Sequence, residues 1–173
     1  MKPMYSLPAA AVGAALVLGA CSSSSGYSAA GGGSTPRTVA VRHVAGASVL
    51  VDSAGRTLYV SDQEQRVGKA LCASKACTAV WMPLTVPKGQ QLTAPASVSR
   101  ELTVVARADG TRQVTFGGTP LYSFALDHAA GDLTGDGQHD SFDGTDFSWH
   151  AATAGGAVTA PSTAGPSYSY GTY

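Results

Sequence analysis

Two stretches of this chain repeat one another. Gly55-Arg56-Thr57-Leu58-Tyr59 aligns with Gly118-Thr119-Pro120-Leu121-Tyr122, and five residues after each tyrosine stands an acid, Glu64 in the first copy and Asp127 in the second. A tryptophan follows each, Trp81 and Trp149. An internal repeat bounds the fold more tightly than any single motif, because the same supersecondary pattern has to be usable twice. Each copy reads as a hairpin strand, an irregular excursion and a strand that carries the tryptophan.

The local signals between these landmarks are β signals. Val49-Leu50-Val51 and Thr57-Leu58-Tyr59-Val60 are short β-favouring runs flanking the turn Asp52-Ser53-Ala54-Gly55-Arg56, which predicts a hairpin. Leu102 to Ala106 and Gln113 to Phe116 flank Ala108-Asp109-Gly110-Thr111, where Asp-Gly is a strong hairpin turn. Gly117-Gly118 turns the chain again, into Pro120 to Ala125. Alternation with a period near 2 outnumbers any 3.6-residue pattern, so one short helix is expected, around Gln65 to Ala73. Residues 88–99 read as a linker. The expected fold is mostly β: two tandem hairpin-based repeats, about 45–87 and about 102–152, forming one small β domain over 38–152, a common domain size.

The chain ends read differently. Leu7 to Ala20 is small and apolar, too short to span a bilayer as a helix, and has the flanks of a signal-peptide core. It closes on Leu18-Gly19-Ala20-Cys21, which resembles a bacterial lipobox, so 1–20 is expected to be a lipoprotein signal peptide and Cys21 the lipidated residue. Residues 21–37 are rich in Ser, Gly and Ala and read as a flexible tether. Residues 153–173 carry no charged side chain and read as a disordered tail, in which Tyr168, Tyr170 and Tyr173 are suited to lie on wall polymer or another protein. The expected location is the bacterial cell envelope, with a membrane reached through the lipid anchor. All eleven Lys and Arg lie at or before Arg112, with five acids among them, so that part nets +6 and residues 113–173 net −6. No basic block is dense enough for nucleic acid. The two parts are expected to meet in the fold and balance each other, unless a cation does so instead.

With Cys21 assigned to lipid, Cys72 and Cys77 remain, and an exported pair reads first as a disulfide. The Cys-x4-Cys spacing is not that of disulfide oxidoreductases. A redox or metal-handling role for this pair together with His43, His128, His139 and His150 stands as the alternative.

Tyr122-Ser123-Phe124-Ala125-Leu126-Asp127 carries the pattern Tyr-x-aromatic-x-x-Asp. With Arg107 to Phe116 before it, and Cys72 to Cys77 followed by Trp81-Met82-Pro83-Leu84, the chain resembles the secreted-repeat lipoproteins marked by that motif, a family whose function is not established. The resemblance implies a lipoprotein repeat domain and no particular reaction. The first copy departs from the motif, with Ser61 at the aromatic position and Glu64 for Asp. Tyr122 and Phe124 share one face of a strand, and Asp127, just past it, is placed to cap a turn or to accept the Tyr122 hydroxyl. The Tyr/Asp pair is either structural or the lining of a ligand site.

Four aspartates crowd residues 131–144. Read as a twelve-residue calcium loop, Asp132, Thr134, Asp136, Gln138, Asp140 and Asp143 fall at positions 1, 3, 5, 7, 9 and 12, with Gly137 at the sharp turn. Asp143 is shorter than the usual bidentate Glu, and no flanking helices are evident, so an acidic turn without an ion is the competing reading. The chain has no nucleophile elbow, zinc-protease helix, phosphate loop or haem-attachment motif. The expectation is a non-catalytic envelope lipoprotein with a binding or structural role, calcium being its one candidate cofactor. A calcium-dependent surface module is a further alternative.

Overall fold

A computed structural model describes residues 37–155. The signal peptide, Cys21 and nearly all of the tether and tail lie outside the described residues. Ten strands and two short helices follow one another in the order β1 Ala40–Val44, β2 Ala47–Val51, β3 Leu58–Ser61, α1 Asp62–Val67, α2 Lys75–Val80, β4 Trp81–Pro83, β5 Leu102–Ala106, β6 Arg112–Phe116, β7 Thr119–Pro120, β8 Tyr122–Phe124, β9 His139–Phe142 and β10 Thr145–Ala151. The mostly β expectation holds.

The strands form three sheets. β1 and β2 make a two-stranded ribbon, β5-β6-β7 a three-stranded sheet, and β4-β8-β3-β10-β9 a five-stranded sheet. The β5–β6 and β6–β7 hairpins fall where Asp109-Gly110 and Gly117-Gly118 predict them, with all three of those glycines at positive φ. The two-residue turns Ala45-Gly46, between β1 and β2, and Asp143-Gly144, between β9 and β10, have both residues at positive φ, the geometry of a type I′ hairpin.

Four expectations are corrected. The runs around Val49–Val51 and Thr57–Val60 are not partners in one hairpin. β2 pairs with β1, β3 joins the five-stranded sheet, and only the bridge Val51–Thr57 links them. β3 is buried along its whole length and both its edges are taken, by β8 and β10. The single helix over 65–73 is replaced by α1 and α2. Ser61 and Ser74 accept the N–H groups of Glu64 and Cys77 as N-caps, and Gly68 ends α1 in the left-handed conformation. The stretch 88–99 does more than link, because Val98 is buried, Leu92 packs beside it, and Thr93 accepts the Val39 N–H. The domain also runs past its expected end at 152, since Ala154 donates to Ser48 and Thr153 bridges Val49.

The five-stranded sheet is covered on both faces. Leu58, Val60 and Leu121 point into an aliphatic core with Val114, Phe116 and Leu102 from the three-stranded sheet. Tyr59, Tyr122, Phe124, Trp81, Trp149 and Phe147 fill the opposite face. Burial of each such side chain contributes about 1.5–3 kcal/mol.

Candidate functional site

The repeat residues converge at the centre of that second core. Tyr59 and Tyr122 stand opposite one another where β3 and β8 pair antiparallel. On either side the partner strand comes from the other copy. β4 sets Trp81 against Phe124, and β10 sets Trp149 against Ser61. The two repeats are therefore interlocked about an approximate twofold rather than laid end to end.

The hydroxyls cross in the same way. Tyr59 donates to the Asp127 Oδ2 at 2.7 Å, and Tyr122 donates to the Glu64 Oε1 at 2.8 Å. The sequence places Asp127 within reach of the tyrosine of its own copy, and the structure gives it to the other. Asp127 also accepts from the Thr134 N–H and hydroxyl, and Glu64 from the Leu71 and Cys72 N–H groups at 2.7 and 2.9 Å. Ser61-Asp62-Gln63-Glu64 has the form of a capping box, yet the Glu64 side chain turns inward to this network. The departure of the first copy has a local reason: Ser61, at the aromatic position, caps α1, and the longer Glu64 reaches into the core from that helix.

Four rings stack in the order Phe124, Trp81, Trp149, Phe147. The indoles lie 4.0 Å apart at 12°, and Tyr59 and Tyr122 meet Trp81 and Trp149 edge-on. Tyr59, Glu64, Trp81, Tyr122 and Trp149 are each 0% exposed. Burial, then the neighbouring acid, pushes both phenols well above their usual range. Burial also raises the Glu64 carboxyl against the opposing pull of its hydrogen-bond donors. None of these groups meets solvent, so the Tyr/acid pairs serve the core.

The acidic stretch is held by N–H donors from outside it. Asp132 Oδ2 accepts the His128 and Ala129 N–H groups, Asp136 Oδ1 accepts the Ala151 N–H, and Asp140 Oδ2 accepts the Trp81 indole N–H at 2.7 Å. The Gln138 carbonyl accepts the Trp149 N–H, and its side chain donates to the Thr134 carbonyl. Thr134 turns its hydroxyl to Asp127, and Asp143 is a turn residue. Among the described residues no group of three or more His, Cys, Asp or Glu is arranged to hold a metal. His43 lies against Ser48 and His150 against Asp62.

The expected balance between the two charged parts is corrected as well. Among the described residues no Lys or Arg pairs with an acid after Arg112; the ion pairs are Arg56–Asp52, Arg107–Asp109 and His150–Asp62. The late aspartates are offset by N–H and O–H dipoles instead, which turn tightly around a short carboxylate.

Cys72 and Cys77 form the expected disulfide, with Cα atoms 5.5 Å apart and both residues buried. It ties the entry and the first turn of α2, next to the N–H groups that hold Glu64. One residue that sequence reasoning missed is Gly135. A Cβ there would fall 2.9 Å from Tyr59 Cζ and 3.0 Å from Trp81 Cη2, so the loop passes flat across the rings only as glycine.

Fold and site together define an interlocked two-repeat β domain with a closed aromatic centre. Residues 103–153, which run from β5 through β10, match the family described as a secreted repeat of unknown function. No curated protein and no solved structure gives a match.

Proposed function

We propose that this protein is an envelope lipoprotein, anchored to a membrane through Cys21, whose domain binds or braces and carries out no reaction of its own. One observation carries this reading. The side chains with the chemistry to catalyse, Tyr59, Tyr122, Glu64 and Asp127, are buried and hydrogen-bonded to one another in pairs, with Glu64 Oε2 alone left without a partner among the described residues. Export is supported by the secreted family and by the oxidised cysteine pair. Among the described residues no helix is long and apolar enough to cross a membrane. Wall polymer or another envelope protein is the partner class such a tethered surface meets.

The test is expression of the full chain in a bacterial host, with mass spectrometry of its N-terminal peptide and fractionation. A diacylglyceryl group on Cys21, and release of Cys21→Ala from the membrane fraction, is the expected result. An unmodified Cys21 within a chain still carrying residues 1–20, or membrane retention of Cys21→Ala, overturns the anchor.

A further inference from the structure

The domain carries a cleft of about 540 Å³ outside the Tyr/acid centre, within the size range of ligand sites. Gly68 to Ala70 and Ala73 form one wall, and Val105 to Asp109 of β5 and its turn form the other. Three properties of the second wall go together.

The first is an unpaired edge. Among the described residues β5 is hydrogen-bonded on one side only, to β6. Glu101 accepts from Gly117 and Arg107 donates to Thr111, so the odd-numbered residues of this strand face β6. The alternation of an antiparallel ladder then turns the N–H and C=O groups of Val104 and Ala106 outward. The strand reads Leu-Thr-Val-Val-Ala, with no charge or proline within it to discourage pairing, and Val105 is 41% exposed. Exposed edges of this composition are normally covered.

The second is a buried cation. The Arg107 side chain is 4% exposed, and its hydrogen bonds go to neutral oxygens, the Gln113 side-chain carbonyl and the Cys72 backbone carbonyl. Its Nε has no hydrogen-bond partner, and the nearest carboxylate oxygen, on Asp109, is 3.5 Å away on a side chain 58% exposed. The third is Lys69, exposed on the facing wall, which makes no ion pair among the described residues. Two cations and one solvated acid thus line the cleft, together with the apolar Pro120.

The geometry points to a docking groove for an extended peptide segment that carries a carboxylate. Its backbone adds to the outer edge of β5 at Val104 and Ala106. Small apolar side chains lie on Val105 and Ala73, and the carboxylate sits between Arg107 and Lys69. This is strand addition with a charge that sets the register. It goes beyond the anchoring reading and stands whether or not Cys21 is acylated.

The test is panning of a random heptapeptide display library against the full chain in mild detergent, with two variants beside the parent. Ala106→Pro removes an outward N–H that the fold does not use, and proline is tolerated on edge strands. Lys69→Glu reverses an exposed charge. Circular dichroism establishes that both remain folded. The expected result is enrichment of β-forming peptides containing Asp or Glu, lost on Ala106→Pro and weakened roughly fivefold by Lys69→Glu. Acidic peptides that bind Ala106→Pro as well as the parent would reduce the groove to an anion pocket and overturn strand addition. Enrichment without acids, or no enrichment over Ala106→Pro, also overturns the proposal. So does a dimer of the parent that Ala106→Pro dissolves, because the edge then belongs to a second copy.

Discussion

Trp81 lies flat on Trp149, the ring centres 4.0 Å apart, although each tryptophan belongs to a different repeat. Their strands are not neighbours: β8 and β3 run between β4 and β10. The indoles meet above the two central strands and tie the outer parts of the sheet together. An aromatic contact of this kind adds about 0.5–1.5 kcal/mol beyond the area buried.

The crossed hydroxyl bonds give a sharp thermodynamic expectation. In double-mutant cycles, Tyr122→Phe and Glu64→Gln couple by about 0.5–3 kcal/mol, as contacting residues do. Tyr59→Phe couples similarly with Asp127→Asn, whereas Tyr122→Phe with Asp127→Asn is close to additive. Denaturant melts of the single and double variants measure this. Strong coupling of Tyr122 to Asp127 would place the pairs within the repeats and refute the interlocked arrangement.

Glu64 sets a pH dependence. Burial raises its carboxyl above the ordinary value of 4.5, so the folded state holds the proton more tightly than the unfolded chain. That contribution to stability is complete below the unfolded value and is lost as pH rises through the folded one. Glu64→Gln has no such group. Its stability relative to the parent therefore improves as pH rises from about 4 to about 8, whatever its offset. Urea midpoints of both proteins across that range check it, and parallel curves would show that burial leaves this carboxyl where it began.

Gly135→Ala is expected to destabilise by about 1–3 kcal/mol, because the new methyl group overpacks against Tyr59 and Trp81. Gly110→Ala, where a Cβ meets nothing, separates turn strain from ring contact. Thermal melts compare the two, together with near-ultraviolet dichroism of the rings. Only Gly135→Ala should perturb the aromatic bands.

Replacing Cys72 and Cys77 by alanine should cost at least about 2 kcal/mol, the chain-entropy value for so short a loop. Both sulfurs are buried, so alkylation after mild reductant should label the native protein slowly and the denatured protein at once. Rapid labelling of the native fold would favour a redox role for the pair.

The acidic loop is expected to be indifferent to calcium. The Asp132, Asp136 and Asp140 carboxylates already accept N–H groups from His128, Ala129, Ala151 and the Trp81 indole. Melting temperatures with calcium, with magnesium and with chelator should coincide. A calcium-specific rise, lost in Asp136→Asn, would show that the loop rearranges to take an ion.

Local order was legible in the residues alone. Asp109-Gly110 and Gly117-Gly118 mark hairpins because positive φ is cheap there, and the cysteine spacing suits a short covalent loop. The doubling of Gly-x-x-Leu-Tyr, with its following acid and tryptophan, marks two copies of one unit. Such signals act within a few residues and need no partner strand. The pairing of those copies was decided only in three dimensions. A tyrosine five residues from an acid cannot reveal that its hydroxyl reaches the acid of the other repeat, because strand exchange between similar units leaves every local preference unchanged. Nor can four aspartates in a row of turns reveal whether they face an ion or N–H donors from elsewhere in the chain. That choice rests on where the Ala151 N–H and the Trp81 indole arrive, from strands far away in the chain. Long-range burial of the aromatic rings fixes those arrivals, and with them the difference between an open site and a closed core.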